Sequence, residues 1–140
     1  LSSGTITAKK YLWIQIALKN TGSINMKLTC NNDTGTNYSR RWSNNGAADS
    51  TSVSESDAQL NSGNAFQFYN IFMINNSANE KLGISHSVDI STAGAGTAPI
   101  RSERCFKWAN TAAQITEIDI DNTAAGSYDT GSILKVWGSD

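Results

Sequence analysis

Apolar and polar side chains alternate along most of this chain with a period of two residues. In residues 11–19, one set of alternate positions carries Leu12, Ile14, Ile16 and Leu18. Because successive side chains of a β-strand point to opposite faces, the pattern predicts a half-buried strand with these residues on its core side. No stretch of ten or more residues carries the 3.6-residue stripe of an amphipathic helix. The sequence therefore predicts an all-β fold.

The same alternation continues through the first half of the chain. Residues 24–30 repeat it after a turn at residues 20–23, which predicts a hairpin with the first strand. Residues 38–42 are predicted as a short third strand. Residues 43–64 are mainly Ser, Asn, Ala, Asp and Gly, so they predict a long surface loop with one edge strand.

Residues 65–74 form the most apolar run. One set of alternate positions carries Phe66, Phe68, Phe72 and Ile74, and the other carries Tyr69, Ile71 and Met73. A strand that is apolar on both faces is typical of a central strand covered on both sides. We therefore expect one face to meet the domain's own core and the other to meet a neighbour.

The second half of the chain supplies the remaining predicted strands. In residues 82–90 the positions predicted to face the core are Leu82, Ile84, His86, Val88 and Ile90. After a flexible loop at residues 91–99, the next strand brings Phe106 and Trp108 to one face. The last two predicted strands are residues 114–121, with Ile118 and Ile120 on one side, and residues 132–137, with Leu134 and Val136.

The strand count predicts the architecture. About eight antiparallel strands in a single domain, residues 1–140, favour a two-sheet sandwich of the jelly-roll type. A seven-stranded immunoglobulin sandwich is smaller and needs a Cys…Trp…Cys spacing that this chain lacks. An up-and-down barrel is the structural alternative.

Composition narrows the range of partners. Charged residues make up 16% of the chain and the formal net charge is -1, which gives no electrostatic footprint for nucleic acid or an anionic membrane. No apolar stretch reaches the ~18 residues that a membrane helix needs. We therefore expect a soluble domain whose partners are neither nucleic acid nor membrane.

The residues that most often carry metal or nucleophilic chemistry are few. His86 is the single histidine, and the two cysteines, Cys30 and Cys105, lie far apart in the sequence. A zinc site needs paired Cys or His ligands and an imidazole-based triad needs a nucleophile, so neither has support. Two interpretations of the cysteines stay open, a pair of small buried thiols and a disulfide between facing strands.

Three acidic residues, Glu117, Asp119 and Asp121, alternate with isoleucines and share one predicted strand face. At ~3.4 Å per residue, neighbours in this row lie about 7 Å apart, a spacing that suits a divalent cation or a glycosidase. An acidic face that keeps an amphipathic strand solvated is the stronger interpretation. We therefore expect no enzyme activity, no metal site and no cofactor.

Residues 31–37, NNDTGTN, have the oxygen-rich composition of a calcium loop. The spacing of an EF-hand fails, because its fifth position falls on Gly35 and its twelfth on Trp42. We predict instead a tight turn in which Asp33 or Asn32 accepts backbone N–H bonds and Gly35 adopts a positive φ.

Two segments carry a resemblance to a known class of proteins. Residues 28–39, LTCNNDTGTNYS, resemble a recurring pattern of tailed-phage virion proteins, F-N-G-D-T-G-x-N-Y-S after an apolar strand residue. The C-terminal motifs WANT, ITEI and GSILKVWG are similar to the ending of the same proteins, W-x-N-T, I-T-x-I and a G-S-x-x-x-L-Y-G strand. Here Cys30 and Asn32 replace the usual Phe and Gly, and Trp137 replaces the closing Tyr.

The resemblance implies a virion structural protein. Such a module would decorate or stabilise a capsid or form part of a tail or spike of a bacteriophage, with other virion proteins as partners. It would be assembled in the host cytoplasm and reside at the surface of the extracellular particle. The resemblance supplies no catalytic residues.

Jelly rolls on virions commonly associate as trimers, so the resemblance also implies a homotrimer. Candidates for the contact are aromatic or apolar residues at positions opposite the predicted core, namely Tyr11, Trp13, Trp42, Tyr69 and Met73. The alternative is that these residues line a second sheet face within the monomer.

A host-receptor or carbohydrate-binding module of a tail fibre is the alternative function. In such a module exposed aromatic rings stack on sugar faces while loop amides bind the hydroxyl groups. Trp42, with Asn44 and Asn45 beside the predicted loop, is the candidate site for a host-surface glycan.

Overall fold

A computed structural model of the protein describes residues 1–60, 62–63, 66–90 and 92–140, with the backbone alone at 62–63. Within these ranges every regular element is a strand, which confirms the all-β prediction. The strands are β1 (Tyr11–Leu18), β2 (Asn20–Thr21), β3 (Ile24–Cys30), β4 (Tyr38–Asn44), β5 (Ser50–Glu55), β6 (Ser62–Gly63), β7 (Gln67–Ile74), β8 (Lys81–Asp89), β9 (Ile100–Trp108), β10 (Ile118–Asn122), β11 (Ser127–Tyr128) and β12 (Ile133–Ser139).

The strands form one large sheet and two small ones. The large sheet has seven antiparallel strands in the order β12-β1-β7-β8-β9-β4-β5. A three-stranded sheet has the order β10-β3-β6, and β11 pairs with β2 in a short ribbon. The large sheet therefore carries most of the strand pairing of the molecule.

The predicted hairpin between the first two runs is wrong. β1 pairs with β12 and β7 in the large sheet, whereas β3 pairs with β10 and β6 in the small one. Directly after β1, the short strand β2 pairs with β11, and Gly22 follows with a φ of 83°. Because this left-handed backbone conformation suits glycine, the chain changes direction here and passes from one sheet to the other.

One hydrophobic cluster contains inner-face residues of the large sheet together with residues of β3, β10 and the segments beside them. The core side predicted for residues 11–19 is confirmed. The residues predicted to share a face in 24–30, 101–109 and 114–121 also lie together in the core, although the last strand begins only at Ile118. The buried apolar residues are Leu12, Ile14, Ile16, Leu18, Ile24, Met26, Leu28, Cys30, Tyr38, Ala58, Leu60, Tyr69, Ile71, Met73, Phe106, Trp108, Ile115, Ile118 and Ile120.

In β8 the predicted core side is wrong. The residues expected inside are exposed, namely Leu82, Ile84, His86, Val88 and Ile90, and the opposite positions are buried. Rings from β9 occupy the space beneath β8: a Cβ built on Gly83 would lie 2.4 Å from the Phe106 ring. The buried Lys81 lies beside the Trp108 ring, and its Nζ donates hydrogen bonds to the backbone carbonyls of Asn79 and Asn110, at 2.7 and 2.9 Å. Small and polar side chains therefore fit the inner side of β8.

The segment predicted as a long loop is partly structured. Its predicted edge strand is confirmed as β5, which lies at the edge of the large sheet. The part after β5 is not surface loop, because Ala58 and Leu60 are buried and donate backbone hydrogen bonds to β3 carbonyls. The predictions that fall on residues 61, 64, 65 and 91 lie outside the described residues.

Asn75 ties three parts of the chain together just after β7. Its side chain is fully buried, and its Nδ2 donates to the carbonyls of Lys9 and Ile115 at 2.9 and 3.1 Å. Its Oδ1 accepts the Ile115 N–H at 2.6 Å. A buried amide with its donors and its acceptor satisfied fixes these segments around the end of the strand.

Candidate functional site

The side of the large sheet that points away from the core exposes many large apolar side chains. We call this surface the outer face. Its apolar members, with exposed fractions from 38% to 55%, are Tyr11, Trp13, Phe66, Phe68, Phe72, Leu82, Ile84, Val88, Ile90, Ile133 and Trp137. They lie at alternate positions of β12, β1, β7 and β8 and of the residues next to them, so the sheet geometry brings them to one side.

Cross-strand pairing aligns these side chains in rows across the sheet. The central apolar row is formed by the successive neighbours Trp137, Trp13, Phe72, Ile84 and Cys105. The rings of Trp13 and Trp137 have centroids 4.8 Å apart, and Trp13 is parallel within 4° to Phe72 at 6.0 Å. Aromatic neighbours at these separations attract each other beyond their area burial and hold the row in place.

Two more apolar rows flank this one. The first runs through Ile133, Ala17, Phe68 and Val88, and the second through Tyr11, Ile74 and Leu82. Both rows end at charged residues of β9, the first at Arg101 and the second at Lys107. The apolar surface therefore covers four adjacent strands, and charges border it on the β9 side.

A single polar row crosses the outer face between two of the apolar rows. Its members, from β12 to β9, are Lys135, Gln15, Asn70, His86 and Glu103. Trp13 donates its indole N–H to Asn70 Oδ1, and Arg101 Nε lies 3.6 Å from Glu103 Oε1. The row thus has a cation at one end and a carboxylate at the other.

The outer face is large for a surface left open to water. With ~170 Å² on average for the large aromatic and aliphatic side chains and about half of it exposed, the apolar members together present roughly 900 Å². The largest apolar patch of a typical monomer is ~300–600 Å², and larger ones mark interaction sites. By this measure the outer face is the candidate functional site.

Depressions lie along the β8–β9 side of the outer face. One of about 460 Å³ is lined by Leu82, Ile84, Cys105, Lys107 and Val53 among others. Another of about 260 Å³ is lined by residues that include Phe68, His86, Val88 and Glu103. These depressions are apolar on their β7 and β8 side and charged toward β9, which suits side chains of a docking protein.

The sequence-predicted contact residues divide into three groups. Tyr11 and Trp13 lie on the outer face, at the positions that the alternation indicated. Tyr69 and Met73 do not: they are 1% and 3% exposed and belong to the core, which corrects the prediction. The physical reason is that the rings exposed by β7 are Phe68 and Phe72, so the opposite positions face inward. The third group is Trp42, whose surroundings differ from those of the other two.

Trp42 lies close to two guanidinium groups. The Arg40 and Arg104 guanidinium carbons are 5.4 and 5.6 Å from the Trp42 ring centroid. Desolvation lowers the pKa of Arg104 to about 10. Asn44 Oδ1 accepts a hydrogen bond from Ser102 Oγ at 2.7 Å, and Asn45 Oδ1 accepts the Arg101 N–H at 2.9 Å. The three residues predicted as a glycan site therefore serve contacts within the chain.

The three carboxylates of the predicted acidic row have different surroundings. Glu117 accepts hydrogen bonds from Ser2 Oγ and Asn32 Nδ2, at 3.0 and 2.9 Å. Asp119 is buried, and its backbone pairs with Ser2 in an isolated antiparallel β-bridge. Asp121 is exposed. The solvated row that the alternation predicted is therefore wrong for Asp119, because the N-terminal segment covers it.

The described ranges hold no group of three or more His, Cys, Asp or Glu residues placed to bind a metal ion. Among the same residues, no helix has the length and apolar character needed to cross a membrane.

The two cysteines are free and lie in different environments. Cys30 is buried in the core, where burial strongly raises the pKa of its thiol. Cys105 is exposed on the outer face. The disulfide interpretation is therefore wrong for this pair, and burial holds only for Cys30.

Sequence reasoning missed the aliphatic part of the site. From sequence alone, Leu82, Ile84 and Val88 are predicted to face the core, because their alternation with polar residues matches an ordinary half-buried strand. The run at residues 65–74, apolar at both sets of positions, was the signal that indicated a second covered face. Since β7 and β8 are neighbours, the same signal extends to β8 once the pairing is known.

Comparisons of the chain with protein-family models, with curated proteins and with solved structures find no match.

Proposed function

We propose that this chain is a structural subunit whose work is assembly, and that the outer face is the surface by which it assembles. The observation that carries the proposal is the set of three apolar rows that cross β12, β1, β7 and β8, with a single polar row between two of them. Burying roughly 900 Å² of apolar surface at ~25 cal/mol per Å² favours association by far more than isolated exposed residues do.

A virion is the place of assembly that we propose. The support is the resemblance of residues 28–39 and of the C-terminal motifs to tailed-phage virion proteins. The chain would decorate or stabilise a capsid, or form part of a tail or spike, with other virion proteins as partners at the particle surface.

The jelly-roll architecture belongs to the same proposal. The seven-stranded and three-stranded sheets that share one core supply the two layers that such a sandwich needs.

The carbohydrate-binding alternative has weaker support from the geometry. A sugar site at Trp42 would need a free ring face and free amides. Two guanidinium groups lie near the ring, and the amide oxygens of Asn44 and Asn45 already accept hydrogen bonds from within the chain. The outer face offers aliphatic side chains between its rings, which favours a protein partner over a sugar.

Incorporation into particles tests the proposal, with a matched pair of variants. Ile84→Asp places a charge in the central apolar row, where Ile84 is 55% exposed. Ala125→Asp also replaces an exposed apolar side chain with a charged one, but in the turn between β10 and β11, outside the large sheet. We expect particles purified from cells that express the tagged chain to contain wild type and Ala125→Asp but to lack Ile84→Asp. Equal incorporation of all three, or absence of the wild-type chain from particles, would contradict the proposal.

A further inference from the structure

We propose that the outer face binds the outer face of a second copy of this chain, in a two-fold symmetric pair whose axis runs along β7. This inference rests on the proposed function and names the partner of the same surface. Three properties of the outer face carry it: its area, the order of its polar row and the position of β7.

The area suits a pair of equal partners. A standard stable interface buries ~800 Å² on each partner, and the apolar members of the outer face alone present roughly 900 Å². Two such sheets packed face to face, ~10 Å apart, would interleave their side chains as the two layers of a β-sandwich do. Each copy therefore presents about as much surface as a stable interface buries on one partner.

Symmetry limits how two identical faces can oppose each other. One copy must be turned over, so the two-fold axis lies in the plane of the interface. An axis that runs across the strands would place Lys135 against Lys135 of the partner subunit and Glu103 against Glu103 of the partner subunit. Such like-charge contacts oppose association.

An axis along the strands gives the opposite result. β7 is the middle strand of the five that carry the polar row, with β12 and β1 on one side and β8 and β9 on the other. Rotation about β7 therefore places Lys135 against Glu103 of the partner subunit, twice in each pair. The charges at the ends of the polar row thus favour this axis.

The same rotation matches the apolar rows over β1, β7 and β8 and places Arg101 at the margin against Ile133 of the partner subunit. Phe72 lies on the axis and meets Phe72 of the partner subunit, while Trp13 meets Ile84 of the partner subunit. β4 and β5 lie beyond β9 and extend outside the paired strands. A face that is covered by one partner is complete, so we expect a pair in solution and not the homotrimer that the resemblance implies.

A charge exchange between the two ends of the polar row tests the pair. Lys135→Glu and Glu103→Lys each create two like-charge contacts per pair, and each is expected to raise the dissociation constant about tenfold, equivalent to ~1.4 kcal/mol. The double variant exchanges the charges and is expected to return the constant to within about threefold of wild type. Both side chains are exposed, and circular dichroism checks that each variant is folded.

Sedimentation equilibrium over a concentration series gives these constants. A wild-type mass of twice the 15.0 kDa of the chain, weakened by each single change and restored by the double change, supports the pair. A dimer whose dissociation constant is the same in all charge variants would contradict the axis along β7 but would leave assembly through the outer face intact. A wild-type monomer or trimer overturns the pair itself, and particle incorporation of the variants then decides the proposed function separately.

Discussion

Asp33 shows how one side chain organises a turn that the sequence predicted only in outline. Its carboxylate accepts hydrogen bonds from the Gly35 N–H at 2.9 Å, from Asn37 Nδ2 and from Trp108 Nε1 at 2.7 Å. The predicted role of Asp33 is confirmed, but the positive φ expected at Gly35 is wrong: φ values of 53° and 56° occur at Asn31 and Asn32. Sequence alone could not show this, because Asn also tolerates the left-handed region.

Replacing Asp33 with Asn is expected to destabilise the protein by about 1–2 kcal/mol at pH 7, since the charge-assisted bond from Trp108 becomes a neutral one. Desolvation opposes ionisation of Asp33, but hydrogen bonds from Trp108, Asn37 and Gly35 outweigh it and lower the pKa below the ordinary 3.8. A lowered pKa stabilises the fold fully above about pH 5, and that contribution is lost as the pH falls through the folded-state pKa.

Urea unfolding of wild type and Asp33→Asn between pH 7 and pH 2.5 measures this difference. We expect the gap in the free energy of unfolding to close as the pH falls below 3.8. A gap that stays constant with pH would show that the charge of Asp33 contributes nothing.

At the scale of one strand, β8 illustrates a limit of the alternation pattern. The pattern predicts that a strand forms, but it does not indicate which side of the strand is buried. Residues 82–90 alternate clearly, and the strand is present as β8. The side that faces the core is decided by the neighbour, because the Phe106 and Trp108 rings of β9 fill the inner side beside Gly83 and Lys81. The sequence of β8 alone does not contain that information. For β3 the alternation gives the buried side correctly but not the partner strands, which are distant in the chain.

Gly83→Ala is expected to destabilise the protein by about 1–3 kcal/mol, because the new methyl group would lie 2.4 Å from Phe106 Cζ and displace the ring. Gly96→Ala is the matched control, since a Cβ there has no atom within 4 Å. Thermal unfolding of both variants measures the effect. Equal melting temperatures for the two variants would contradict the packing of Phe106 over β8.

Over the whole molecule, the part that sequence predicts best is the set of strands, and the part it predicts least is their order. Tyr11 and Trp13 of the candidate site were found because β1 carries an unmistakable apolar stripe on its other side. Trp42, Tyr69 and Met73 were assigned with the same argument and are placed elsewhere by the neighbours of their strands. The need for a partner was nevertheless visible in residues 65–74, where both sides of one strand are apolar.

The outer face is the surface that a partner would cover. Exposed rings and aliphatic side chains cover four adjacent strands of an antiparallel sheet, and water contact with such a surface is costly. Association removes this cost without any change of the fold. Our proposal that the chain is a structural subunit that assembles through one sheet face rests on this surface.

The mass of the protein in solution, measured for wild type, Ile84→Asp and Ala125→Asp, tests this central claim most directly. Ile84 is 55% exposed in the central apolar row, and Ala125 is exposed in the turn between β10 and β11, outside the large sheet, so both variants are expected to fold. We predict that wild type and Ala125→Asp sediment at twice the 15.0 kDa of the chain, whereas Ile84→Asp sediments as a monomer. A monomeric wild-type protein would contradict the symmetric pair, and an Ile84→Asp variant that associates as wild type does would contradict assembly through the outer face.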